Sequence, residues 1–219
     1  MVKFERSTPA PESLSIEKNK ANGSYSQPDV VKRLKQDFYD KCYICGLDNL
    51  PDIQVEHLLP HMNGKYPERK FDWNNLFLSC PHCNGVKNKR KYDVGILNCC
   101  ITDPEIKISF RLEDERLVIQ SKKEGDDQAA LTAELVREVF EQNDTGIRTH
   151  ATQIRYNELC REMNKLYDNL EGMRKKPDSK YYHRKLQALL QRKSRFAAFK
   201  REYVRMHSDV YPELMQYLV

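Results

Sequence analysis

The chain has 219 residues, of which 39% are hydrophobic and 32% charged, a balance that favours a small core carrying helical extensions with much polar surface over one large core. No apolar run reaches the roughly 18 residues that a membrane span needs, and the opening MVKFERSTPAPESLS has no apolar stretch of the secretory kind, so the expectation is a cytoplasmic protein without a membrane segment. The net charge of +5 is unevenly spread: between Gly172 and Met206 twelve Lys/Arg stand against two acids, Asp178 and Glu202, a true local asymmetry.

Residues 1–27, polar and punctuated by Pro9, Pro11 and Gly23, read as an extended arm. Ser26-Gln27-Pro28 is a helix start, with proline in the first turn where its missing N–H costs nothing. Val30 or Val31, Leu34 and Phe38 then recur at helical spacing. Cys42-Tyr43-Ile44-Cys45-Gly46 is a turn, and Gln54 to Leu59 a strand. Residues 62–72 form a loop around Gly64 and Pro67. Leu76-Phe77-Leu78 is a second strand, followed by Cys80-Pro81-His82-Cys83 and a helix to about Lys91. Ile106 to Leu112 and Arg116 to Gln120 form a hairpin turning at Glu113-Asp114-Glu115. Beyond Ser121 three helices are expected: one on Leu131, Leu135 and Val139, one on Ile154, Leu159, Met163, Leu166 and Leu170, and one running from Leu186 to Val204. The fold class is therefore α+β. An arm (1–27) precedes a mixed module (28–121), and a helical region (122–219) follows as a docking surface for a partner or nucleic acid.

The two C-x-x-C pairs, Cys42/Cys45 and Cys80/Cys83, carry the strongest signal. Each sets two thiolates on one tight turn, and together they offer four sulfurs to tetrahedral Zn²⁺. In a cytosolic chain this spacing reads as a zinc site rather than as disulfides. Such a site is closed and structural, and its metal contributes to folding. His82 could replace one thiolate. Cys99, Cys100 and Cys160 read as small buried hydrophobes.

Between the knuckles lies a second polar set: Glu56-His57, Asn75, Asn84 and Lys87. Strand, loop, strand and helix follow in that order, which can bring the first strand and the start of the helix to face each other across a cleft. A neutral imidazole can take a proton from water, and a hard divalent cation can stabilise charge on phosphoryl oxygens. Glu56 and Asn84 offer the oxygen donors that Mg²⁺ accepts. Lys65, Arg69, Lys70, Lys87, Lys89 and Arg90 surround this set as candidate contacts for nucleic acid. The basic C-terminal segment, with Tyr181, Tyr182, Phe196, Phe199 and Tyr203 interleaved, reads either as a nucleic-acid track or as a helix with a solvated or partner-docking basic face.

The succession C-x-x-C, E-H-x-x-P, W-x-N-L and C-x-x-C-N-x-x-K, from Cys42 to Lys89, resembles the HNH endonuclease family with its ββα-metal fold. The resemblance implies His57 as general base, Asn75 as the residue that orients it through its loop, and Glu56 and Asn84 as ligands of a catalytic Mg²⁺ or Mn²⁺. It departs from the commonest form of the motif in having Glu56 where Asp is frequent and Asn84 where the last histidine stands. The layout of arm, central module, "ILNCCITDPEIKISF" segment and helical tail resembles the PtuB-like HNH effectors of Septu-type and retron-associated antiphage defence systems. That likeness implies a PtuA-like ABC-type ATPase as partner. DNA is the favoured substrate, with RNA or tRNA as the alternative. A non-catalytic zinc ribbon that binds nucleic acid is the rival from another class.

Overall fold

The computed structural model describes residues 1–50, 52–141 and 146–218, without the side chains of residues 147 and 148. Two short antiparallel sheets sit among helices, an α+β arrangement as expected.

Residues 1–11 run without helix or strand into α1 (Glu12–Glu17), and α2 follows (Pro28–Asp37) with Pro28 in its first turn. The amphipathic spacing of α2 works as expected, burying Val30, Leu34 and the following Phe38. The N-terminal segment is no free arm. Met1, Val2 and Phe4 are buried, and Phe4 N–H donates to the Cys99 carbonyl. The Arg6 guanidinium lies over the rings of Trp73 and Phe77 at 4.6 and 4.9 Å and donates to the Leu76 carbonyl at 2.8 Å. A delocalised cation stacked on aromatic faces is held there by the ring quadrupoles. Proline punctuation makes this segment extended, yet its few apolar residues suffice to seat it in the core.

Strand β1 (Gln54–His57) pairs with β2 (Leu76–Ser79), Glu56 opposite Phe77 and His57 opposite Leu76. β1 ends two residues sooner than expected, because Leu58 N–H and Leu59 N–H turn to the backbone and side-chain oxygens of Asn75. Helix α3 (Pro81–Lys87) opens with Cys80 as its cap, the sulfur accepting Cys83 N–H. It stops at Lys87 rather than near Lys91, and Arg90–Tyr92 form a separate 3₁₀ turn. Helix α4 (Pro104–Lys107), capped by Asp103, takes up Ile106, so the hairpin is β3 (Ile108–Glu113) and β4 (Arg116–Ser121). Its two-residue loop, Asp114 and Glu115, has φ of +44° and +67°, the left-handed pair that matches the twist of a tight hairpin.

Helices α5 (Asp127–Glu141) and α6 (Gly146–Lys175) follow. The expected third helix is two, α7 (Lys180–Leu190) and α8 (Ala197–Met206), broken at Phe196 with φ +46°. The break lets Phe196 N–H reach the Gly46 carbonyl in the first knuckle. α5 packs on β4 and α3, and α8 on β3. One continuous core runs from Phe4, Phe38 and Phe77 to Phe110, Phe140 and Phe199. Among the described residues no helix is long and apolar enough to cross a membrane.

Candidate active site and metal centre

The sulfurs of Cys42, Cys45, Cys80 and Cys83, all buried, lie within 4.8 Å of one another. Ligands about 2.3 Å from a common tetrahedral centre fall within that spread, so the four could hold zinc. The other three cysteines stand outside the cluster, Cys99 buried and Cys100 and Cys160 half-buried. His82 is also outside it, its Nε2–H donating to the Val139 carbonyl at 2.9 Å. A residue from far along the chain completes the surroundings: the buried Arg155 on α6 places Nη2 2.9 Å from the Cys80 sulfur. A guanidinium donor there offsets part of the negative charge that four thiolates collect.

On β1 the alternation of the strand sends neighbouring side chains to opposite faces. Glu56 turns inward and is buried. It accepts the Tyr43 hydroxyl from inside the first knuckle and lies 3.6 Å from the Lys87 ammonium. Burial pushes its carboxyl above the ordinary value, against the pull of Lys87. His57 turns outward and is half-buried. Its Nε2–H donates to the Lys70 carbonyl at 3.0 Å, which fixes the tautomer, since a carbonyl can only accept, and leaves Nδ1 with the lone pair. Tyr25 packs edge-on with the imidazole at 4.5 Å and His61 does so at 4.9 Å. Burial lowers the histidine's pKa, the Lys70 hydrogen bond opposing.

Glu56, His57, His61, Asn84 and Lys87 line one cleft of about 330 Å³. The Asn84 Nδ2 donates to Gln54 Oε1 at 2.6 Å, so its Oδ1 remains as the acceptor. The Glu56 carboxylate and the Asn84 carbonyl are therefore two hard oxygen donors in one cleft, a set suited to Mg²⁺ or Mn²⁺. Asn75 does not line the cleft. Buried behind it, its amide receives Leu59 N–H at 2.8 Å and donates to the carbonyls of Leu59 and Arg69 at 2.9 and 3.0 Å. The loop thus pinned is the one that presents the Lys70 carbonyl to His57.

Residues 42–90 match the family model described as HNH endonuclease. This stretch, less than a quarter of the chain, is an HNH domain, and its family is one of metal-dependent nucleases. Comparison with curated proteins gives no match.

Of the basic residues expected to meet nucleic acid, Lys65 and Arg90 are exposed and Arg69 and Lys70 half-exposed. Two others are otherwise engaged. Lys87 is buried, donating to the His57 carbonyl at 2.9 Å, and Lys89 pairs with Glu138 of α5 at 2.8 Å. Sequence reasoning missed Tyr25, Tyr43, Gln54 and the Lys70 carbonyl. None carries a spacing signal, because each reaches the site through tertiary packing or main chain alone.

Proposed function

We propose that the chain is a metal-dependent endonuclease that hydrolyses phosphodiester bonds in DNA. The observation that carries this reading is His57, held in one tautomer by the Lys70 carbonyl, in the same cleft as the oxygens of Glu56 and Asn84. His57 Nδ1 takes the proton from the attacking water. Asn75 keeps the loop in place so that the Lys70 carbonyl continues to orient the ring. Glu56 and Asn84 would hold the divalent ion, which when bound supplies charge stabilisation at the phosphoryl oxygens. Tyr43 and Lys87 set the position of the Glu56 carboxylate. Lys65, Arg69, Lys70 and Arg90 draw in the phosphate backbone. The Cys₄ cluster would hold structural zinc, which when bound would fasten the first knuckle, and with it Tyr43, to the start of α3.

The test is incubation of the protein with Mg²⁺ or Mn²⁺ and a panel of DNA and RNA substrates, beside a His57→Ala variant. DNA cleavage that stops with chelation and is lost in the variant supports the reading. Cleavage retained by the variant removes His57 as the base, and cleavage of RNA alone reassigns the substrate.

On the likeness of its layout to PtuB-like proteins, we further place the chain as the effector of an antiphage defence system acting with an ABC-type ATPase. The surface available to such a partner is the end of α6 and α7, where Arg174, Lys176, Lys180, Arg184 and Lys185 are exposed. Co-purification with the ATPase, lost when these five are changed to Glu, would support that placement.

A further inference from the structure

A second cleft of about 560 Å³ adjoins the first, and the two share His61 and Asn63 in their walls. The loop between them is bent by three consecutive residues with positive φ: Met62 and Asn63 at +51° and Gly64 at +92°. Two of these are not glycine, and such backbone is retained where the surroundings impose it, often at ligand clamps. The second cleft differs in character from the first. Pro67 and the half-buried ring of Phe71 give it an apolar wall, while Lys18 and Lys70 are two cationic residues in its lining. The Lys70 ammonium lies 5.0 Å from the centre of the Phe71 ring. One acid, Glu68, also lines the cleft, and it is 3.9 Å from Arg69. Lys18 closes α1 and lies outside the HNH domain, so the N-terminal segment contributes to this wall.

An aromatic face beside cations is what a nucleotide needs: a ring on which a base stacks and positive charge for its phosphate. A base within a duplex is already stacked on both faces and paired along its edge, and cannot enter such a recess until it is unpaired. We propose that the second cleft seats an unpaired nucleotide flanking the scissile phosphate, so that the protein prefers substrates with single-stranded or splayed nucleotides beside the cut. This deepens the endonuclease reading and rests on it. The strand runs from the His57 cleft past His61 and Asn63, and the neighbouring base stacks on Phe71 with Lys18 and Lys70 at its phosphates.

The experiment separates binding from chemistry. Full-length protein carrying His57→Ala is titrated against a short fluorescein-labelled DNA strand and against its duplex, and anisotropy is read. The single strand is expected to bind more tightly. Adding Phe71→Leu, which keeps apolar bulk beside Gly23 but removes the ring, should weaken single-strand binding about tenfold and move duplex binding much less. Lys18→Gln should reduce the salt slope for the single strand. Zinc content and circular dichroism establish that each variant is folded. Equal or tighter duplex binding, or an equal loss for both ligands in Phe71→Leu, overturns the proposal. The endonuclease reading fails separately, if the wild-type protein with Mg²⁺ or Mn²⁺ cuts no strand while the binding preference and its Phe71 dependence are present.

Discussion

Lys41 is buried between the N-terminal segment and the last helices, its ammonium donating to the carbonyls of Arg192 and Ser194. Burial brings its pKa from 10.5 down to about 7, with Lys200 adding to the effect. Below pH 7 the group is charged in both folded and unfolded chains, and the full cost of burying the charge is felt. Between about 7 and 10.5 the unfolded chain holds the proton that the folded one has released, so this group's contribution to stability rises with pH across that window. A Lys41→Met variant should therefore gain less Tm, or lose more, than the wild type as the pH rises above 7; parallel curves would refute the assignment. In the proposed mechanism Asn75 acts through structure rather than contact. Truncation to Ala removes three hydrogen bonds from the 59–70 loop, to the half-buried backbone of Leu59 and Arg69, at about 1 kcal/mol each. The Lys70 carbonyl then loses its fixed position, and kcat is expected to fall about a hundredfold. KM should change little, because Asn75 lines no part of the cleft. A fall in kcat/KM carried by KM alone would contradict this.

At the scale of elements, what was legible in the sequence was what local spacing encodes. The two C-x-x-C turns come together, and both strands, the helix after the second knuckle and the hairpin are present with shifted ends. Leu131, Leu135 and Val139 do mark a helix, as do Leu159, Met163, Leu166 and Leu170. The miss at Leu186 to Val204 has a physical cause: helical periodicity continues on both sides of Phe196, while the left-handed residue that separates α7 from α8 is imposed by the contact with Gly46. The candidate site was half legible. Glu56, His57 and Asn84 were singled out by motif and share a cleft; Tyr43 and Tyr25 reach it only through packing. The link from α6 to the second knuckle was likewise invisible, 75 residues separating Arg155 from Cys80. Arg155→Met should keep the helix but leave the thiolate charge uncompensated. Zinc release to a chromogenic chelator is expected to be about 10- to 100-fold faster in that variant. An unchanged release rate would mean that the guanidinium serves packing alone.

For the molecule as a whole, the basic C-terminal segment changes meaning once its partners are seen. Read as a sequence it is a track for nucleic acid or a docking face; in the fold, six of its twelve cations are turned onto the chain's own acids, Lys175 onto Glu171 one helical turn away and the other five as follows. Arg201 donates to both oxygens of the buried Glu105, at 2.8 and 3.0 Å, and Arg205 to one of them at 3.2 Å. Arg192 pairs with Asp103 at 2.8 Å, Arg195 with Asp48 and Glu158, and Lys200 with the buried Glu162 at 2.9 Å. Asp48, Asp103 and Glu105 lie before the helical region, so these pairs join the tail to the module that carries the cleft. The acidic partner of the basic segment is, for these residues, the rest of the chain. Reversing Arg192 and Arg195 to Glu would set new carboxylates against Asp103, Glu105, Asp48 and Glu158. At about 1 kcal/mol or more per site, and with a domain of this size losing roughly 2–4 °C per kcal/mol, Tm should drop by about 5 °C or more. Lys193 between them is exposed, and its reversal should leave Tm within a degree or so, as surface changes usually do. The salt slope of DNA binding separates this view from a nucleic-acid track. If Arg192 and Arg195 touched phosphates, their loss would make the slope shallower by about one per contact; as internal pairs, they leave the slope unchanged in whatever fraction of the variant remains folded.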